Sequence, residues 1–274
     1  MRWRDQRQST NIEDRRGLGG RGIAIGGGGL GILIIAILSC VFGIDPTQLL
    51  QNAPNQTDVQ PPTASNSAQP QDENRQFVGA VMGNLEDTWR LVLPQQARVR
   101  YQDPKLVLFS GQISSACGYA SAATGPFYCP GDYKLYLDFA FFNELKREFK
   151  APGDFAQAYV IAHEFGHHIQ NLTGTMAKVQ RAGNNNRLSV ALELQADCYA
   201  GIWANYAQKK GLVEAGDAQE ALNAAAAVGD DMIQKRTQGY VVPESFTHGS
   251  AQQRMQWFSR GMQTGDMRQC ETFR

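Results

Sequence analysis

Three of the four histidines in the chain fall within six positions, in "HEFGHH" at residues 163–168. A helix turns about 100° per residue, so positions four apart lie only about 40° apart on its surface. His163 and His167 therefore face one way, a turn apart, and each can offer an imidazole nitrogen to one ion. His168 points about 100° away from His167. It drops out of that pair and is expected to pack or hydrogen-bond at the side of the helix. Glu164 lies beside the pair, close enough to hold a water on the ion but not aimed to bind it. This is the H-E-x-x-H spacing of zinc hydrolases. Zinc lowers the pKa of its water to about 7, and the glutamate takes the proton as general base. Taken alone, the spacing also arises by chance on a solvated or core helix.

A catalytic zinc needs a third protein ligand and an open position. The stretch "ELQAD", residues 193–197, sets Glu193 and Asp197 four apart on one helix face. Glu193 can complete a His2Glu site. Asp197 can accept a hydrogen bond from the far nitrogen of a ligand histidine, which fixes its tautomer. The neighbours in that segment are nearly all apolar, so two acids there need a partner. The fourth histidine, His248 in "FTHGSAQQR", is a candidate donor to the oxyanion formed when water attacks a carbonyl. The plainer alternative is a surface histidine at a helix start. Arg254 is read as orienting the site or pairing with Asp230 or Asp231. The candidate set is thus His163, His167 and Glu193 as metal ligands, one zinc ion per chain, with Glu164, His248 and Asp197 serving the chemistry.

The elements that must carry these residues are mostly helical. Residues 152–174 hold the strongest pattern, with Ala158, Ile161, Phe165, Ile169 and Leu172 on one stripe, Asp154 as N-cap and Gly174 as stop. "LSVALELQADCYAGIWANYAQKK" is a second long helix and "GDAQEALNAAAAVGDDMIQKR" a third. A final helix follows "SFTHGS". Residues 76–93 form an amphipathic helix expected to stop before Pro94. "KLVLFSG" and the start of "YKLYLDFAFF" read as short strands. The sum is an α+β domain dominated by helix, with a small sheet.

The chain has 274 residues and a formal net charge of zero, so nothing suggests a nucleic-acid partner. The charge is uneven. Residues 1–21 carry six arginines against Asp5, Glu13 and Asp14. Residues 22–44 contain no charged side chain and are long enough, as a helix, to span about 30 Å of hydrocarbon. A cleaved signal peptide and a buried core helix are the alternatives. A lipoprotein box around Cys40 fits poorly. By the positive-inside rule the N-terminus stays in the cytosol and the chain from Asp45 onward is exported. Residues 45–75 are rich in Pro, Gln, Asn, Ser and Thr and read as a disordered tether. The expected division is a cytosolic basic segment (1–21), a transmembrane anchor (22–44), a linker (45–75) and a domain over 76–274. Four cysteines fall in the exported part, and an even count there suggests two disulfides. Cys117 and Cys129 flank one loop and are paired. By default Cys198 pairs with Cys270. A four-cysteine zinc site is disfavoured because no C-x2-C spacing occurs.

"YVIAHEFGHHIQ", "ELQADCYAGIWA", "GDD" at 229–231 and "SFTHGSAQQRMQWF" together resemble the bacterial family of neutral zinc metallopeptidases. "SACGYASAATGPFYCPGDYKLYLDFAFF" and the closing "CETF" resemble it too, so the likeness covers roughly residues 76–274. It implies a zincin-like domain of the gluzincin type, with Glu193 as third ligand. More distantly, E-x-x-x-D and T-H-G-S-x-x-x-R are similar to the integral membrane gluzincins that include the CAAX prenyl proteases. Their pattern implies a proton-handling or ligand-orienting role for Asp197 and transition-state stabilisation by His248. Gly249 stands where those relatives usually have proline, which leaves the local turn open. In zincins the strand before the active helix often lies at the cleft edge, and "YKLYLD" is the candidate. The expectation is a zinc metallopeptidase anchored in the bacterial inner membrane through residues 22–44. Its domain would be periplasmic and its substrate a peptide or protein. A zinc-stabilised envelope scaffold and a zinc amidase on cell-wall peptides remain the alternatives. Oligomeric state is left open.

Overall fold

The computed structural model describes residues 1–17, 72–121, 124–183 and 185–273. Along the chain come strand β1 (Ile12–Asp14), helix α1 (Glu73–Ala97), and strands β2 (Lys105–Phe109), β3 (Gln112–Ser115), β4 (Gly118–Ser121), β5 (Phe127–Cys129) and β6 (Lys134–Asp138). Helices α2 (Ala140–Arg147), α3 (Asp154–Leu172), α4 (Thr175–Arg181), α5 (Asn186–Lys209), α6 (Asp217–Ala227), α7 (Asp230–Gln238) and α8 (Ala251–Thr264) follow. The helix-dominated α+β reading stands, with more strands than periodicity shows.

The main sheet has the order β1-β2-β6-β5. β1, β2 and β6 run parallel, and β5 is antiparallel to β6. β3 and β4 form a separate hairpin. This corrects the expectation for "YKLYLD". β6 lies between β2 and β5, so both edges of its backbone are engaged. The end strand is β5, three residues in a Gly- and Pro-rich stretch too short to read as a strand.

Helix α3 packs against α5, and α5 against α8, through close backbone approaches at glycine. A Cβ on Gly166 would lie 2.9 Å from the Ala196 carbonyl oxygen, so α3 can come this near α5 only with glycine there. A Cβ on Gly201 would lie 2.1 Å from the Phe258 carbonyl oxygen, and one on Gly261 would lie 1.9 Å from that of Cys198. Each mid-helix glycine costs about 1 kcal/mol relative to alanine. The approaches they allow bury Phe155 and Trp203, stacked at 5.5 Å, and leave Phe165, Ile169, Ile202 and Phe258 fully enclosed along the same helices.

Helix boundaries depart from the sequence pattern in three places. Pro94 lies inside α1, which runs on to Ala97. Pro94 is exposed, so the carbonyl its ring frees can meet water. The cap of α3 is Gly153, and Asp154 is its first helical residue. The third expected helix is two, broken at Gly229, where a Cβ would lie 2.4 Å from the Ala251 nitrogen.

Residues 1–17 belong to the same compact unit as residues 71–274. The division that set residues 1–21 apart from the domain does not hold for them. β1 pairs with β2, and Trp3 is buried edge-to-face on Phe77 at 5.5 Å. Among the described residues no helix is long and apolar enough to cross a membrane. The stretch 22–44 and most of the linker lie outside the described residues. Both disulfides, Cys117–Cys129 and Cys198–Cys270, are present as paired from sequence.

Gly261→Ala places its methyl group against the α5 backbone, which has no flexible end to give way. Thermal denaturation is expected to show a loss of about 2 kcal/mol or more. Gly17→Ala, with nothing within 4 Å of the new methyl group, is expected to be neutral.

Candidate metal centre

His163 and His167 lie one turn apart on α3, both buried, and Glu193 reaches them from α5. One carboxylate oxygen of Glu193 lies 3.1 Å from His163 Nε2, and the other lies 3.4 Å from His167 Nε2. The ligand atoms of the three residues all fall within 4.8 Å of one another. Tetrahedral ligands about 2.0–2.1 Å from one zinc ion stand about 3.3 Å apart, so the spacing suits such an ion. Two imidazoles and one carboxylate are also a donor set that zinc accepts.

The far nitrogens of both histidines are held. His163 Nδ1 donates to Asp197 Oδ1 at 2.8 Å, and His167 Nδ1 donates to Gln170 Oε1 at 2.8 Å. These bonds leave Nε2 of both rings turned toward Glu193, where each can offer its lone pair to an ion in place of a proton. Asp197 is fully buried and accepts three more contacts. Tyr159 Oη donates at 2.5 Å, and Arg254 forms a fork, Nε to Oδ2 at 2.8 Å and Nη2 to Oδ1 at 2.9 Å. Arg254 also donates to the Val228 carbonyl and to Tyr159 Oη. The pairing of Arg254 with Asp230 or Asp231 considered from sequence is therefore replaced by Asp197. Asp197 does not line the cleft. It stands behind His163, bonded to the far nitrogen of that ring.

Electrostatics here favour a cation. Burial works against a charged imidazole at His163, yet the Asp197 carboxylate outweighs it and pushes the pKa up to about 10. Burial would raise the Glu193 carboxyl, but His167 and His163 hold it well below the usual range. The pull that draws protons onto the imidazoles is the pull a divalent ion would feel. Glu164 is only half-buried and lines the cleft, and burial raises its carboxyl toward the proton affinity a general base needs.

The cleft measures about 420 Å³. His163, Glu164, His167, Glu193, His248 and Arg254 supply its charged groups. Its remaining wall is mostly apolar, from Phe127, Phe141, Val160, Met176, Leu192 and Val228. The end strand β5 thus lies along the cleft through Phe127 and Tyr128.

His248 reaches the cleft from a loop pinned by Asp230. Oδ2 of Asp230 accepts the backbone N–H groups of Thr247, His248 and Gly249 at 2.7, 2.6 and 3.0 Å. Its Oδ1 accepts from His248 Nδ1 at 3.1 Å, and this bond raises the imidazole pKa. Asp231 accepts the Ala251 N–H at 2.7 Å and fixes the start of α8. Gly249 has φ +91° and uses its N–H, so proline could not occupy this turn. The likeness to the prenyl-protease pattern stops at that residue.

His168 is fully buried and faces away from the metal side. Its Nε2 donates to the Gln102 carbonyl at 2.8 Å, and its Nδ1 accepts from Tyr128 Oη at 3.1 Å. Burial pushes its pKa down to about 4. It ties α3 to β5. Tyr159 and Gln170 went unnoticed in the sequence, and Asp230 was read there only as a partner for Arg254, not as the anchor of the His248 loop. Tyr159, four before His163, and Gln170, three after His167, share the helical phase that found the ligands. Asp230 has no such signal.

Two outcomes follow from this geometry. Asp197→Asn is expected to weaken zinc binding about 10- to 100-fold, read by chelator competition. His168→Ala is expected to cost about 2 kcal/mol in thermal unfolding with zinc content unchanged, because it empties a fully buried position and removes the bonds to Tyr128 and Gln102.

The chain is matched from residue 1 to residue 273 by the model of a family described as "Putative neutral zinc metallopeptidase". It is 44% identical to YpfJ of Escherichia coli (strain K12) over 288 aligned residues, covering 100% of this chain and 99% of that protein. It is 42% identical over 251 residues to Mb2605 of Mycobacterium bovis and to Rv2575 of Mycobacterium tuberculosis, covering 85% of this chain and 84% of each relative. No solved structure matches. With the family spanning nearly every residue and the donor set in place, the chain belongs to the neutral zinc metallopeptidase family.

Proposed function

We propose that the chain hydrolyses peptide bonds at this centre, using one zinc ion held by His163, His167 and Glu193. The observation that carries the reading is Glu164, an accessible carboxylate beside the two histidines in an open cleft. A purely structural zinc site closes its fourth position and needs no base beside it. When bound, the ion supplies Lewis acidity toward a carbonyl oxygen and lowers the pKa of a water molecule.

The protein's own groups do the rest. Glu164 takes the proton of the attacking water and can pass it to the leaving amine. His248, oriented by Asp230 and with its Nδ1 engaged, offers Nε2–H to the oxyanion that develops on the carbonyl. Asp197 and Gln170 keep the ligand imidazoles in place. An extended peptide chain can add to the open edge of β5, with main-chain hydrogen bonds for affinity and the apolar wall for side chains. An amidase acting on cell-wall peptides would use the same groups, and substrate profiling separates the two.

With the purified chain and a peptide library, wild type is expected to bind zinc and cut. Glu164→Gln is expected to keep zinc and lose about 10²–10⁴-fold in rate. His248→Ala is expected to keep zinc and lose about 10²–10³-fold in kcat. A zinc-loaded wild type that cleaves no peptide would sink the peptidase reading and favour a scaffold.

A further inference from the structure

Residues 1–17 dock along a groove cut for them. Ser9 N–H donates to the Gly79 carbonyl at 2.9 Å, and Arg7 Nη2 donates to the Gly83 carbonyl at 2.7 Å. A Cβ on Gly83 would lie 2.4 Å from the Arg7 carbonyl oxygen, and one on Gly79 would lie 2.1 Å from Gln8 Oε1. The two glycines, one turn apart on α1, open the space for this segment. β1 covers β2, which would otherwise be the end of the sheet. The ladder is extended by Leu106 N–H to Asn11 O and Arg15 N–H to Leu108 O, each at 2.8 Å.

The charge pattern gives the same answer. Glu86 on α1 has a side chain only 1% exposed. It receives Arg7 Nη2 at 2.9 Å, Asn11 Nδ2 at 3.0 Å and the Ser9 hydroxyl, all from residues 1–17. Without them α1 would bury a carboxylate lacking these donors, a costly state. Among the described residues, the arginines that suggest a cytosolic N-terminus are engaged as well. Arg2 lies 3.4 Å from Glu214, Arg4 lies 2.5 Å from Glu73, and Arg16 pairs with Asp14 and Asp72. The positive-inside rule weighs arginines flanking a span. Here they are ion-pair partners within a fold.

We propose that residues 1–17 are a structural part of the domain and share its compartment, so that no single membrane crossing separates residue 17 from residue 72. One crossing would put about 30 Å of hydrocarbon between them. The ladder of 2.8 Å hydrogen bonds from β1 to β2 cannot be made across it. This inference is independent of the peptidase reading, and it replaces the expected arrangement of a cytosolic N-terminus and an exported domain.

The test uses the full chain with Cys40→Ser as parent. A single cysteine is introduced at Arg4→Cys or Lys235→Cys, both at exposed positions. Intact cells are treated with a membrane-impermeant maleimide, and labelling above the parent is compared with labelling after lysis. The two positions are expected to behave alike, both labelled in intact cells or both protected until lysis. Labelling of one with protection of the other overturns the proposal. A second measurement uses the purified full chain and limited trypsin. Cleavage after Arg7 is expected to be slow in the parent and fast in Gly83→Ala, whose methyl group meets the Arg7 backbone. Fast cleavage in the parent overturns docking.

Discussion

The buried carboxylate of Asp197 is the constraint on which the arrangement depends. Four contacts converge on it, from Tyr159 and His163 on α3 and from the Arg254 fork on α8. A carboxylate with no exposed surface is stable only with its charge balanced and its lone pairs used. Arg254 supplies the balance across both oxygens, and Tyr159 and His163 add their donors to Oδ1. Three helices are thus locked around one acid. The helix turn that carries Asp197 carries Glu193 four residues earlier, so fixing Asp197 also aims the third ligand.

Such convergence requires the helix backbones to come close, and the glycines permit it. Gly166 sits between Glu164 and His167 and lets α3 approach α5 at Ala196. Gly201 and Gly261 do the same for α5 and α8. A glycine that lowers helix propensity inside "HEFGHH" is therefore a spacing device. The ligand distances are set by backbone proximity as much as by side-chain choice.

What could be read in the sequence followed the range of the signal. His163, His167, Glu193 and Asp197 share helical phase within two helices, and phase is a local property. The disulfides were reachable from an even count and one flanked loop. The partner of Arg254 was not. It lies 57 residues away, where phase carries no information, and Asp230 was the nearer acid in sequence. β5 escaped because three residues hold no period. Residues 1–17 escaped for a different reason. Their arginines resemble a charge cluster flanking a membrane span, and nothing local shows that the matching carboxylates lie on α1 and beyond α5.

The Cys198–Cys270 bond joins residues 72 apart in the chain. Cys198 follows Asp197 directly, and the enclosed loop holds Asp230, His248 and Arg254. Closing a loop of that length removes about 4 kcal/mol of chain entropy from the unfolded ensemble. The groups that must meet from the most distant parts of the sequence therefore never separate fully, even when the helices come apart. Recovery after unfolding becomes a search within a closed ring rather than along an open chain.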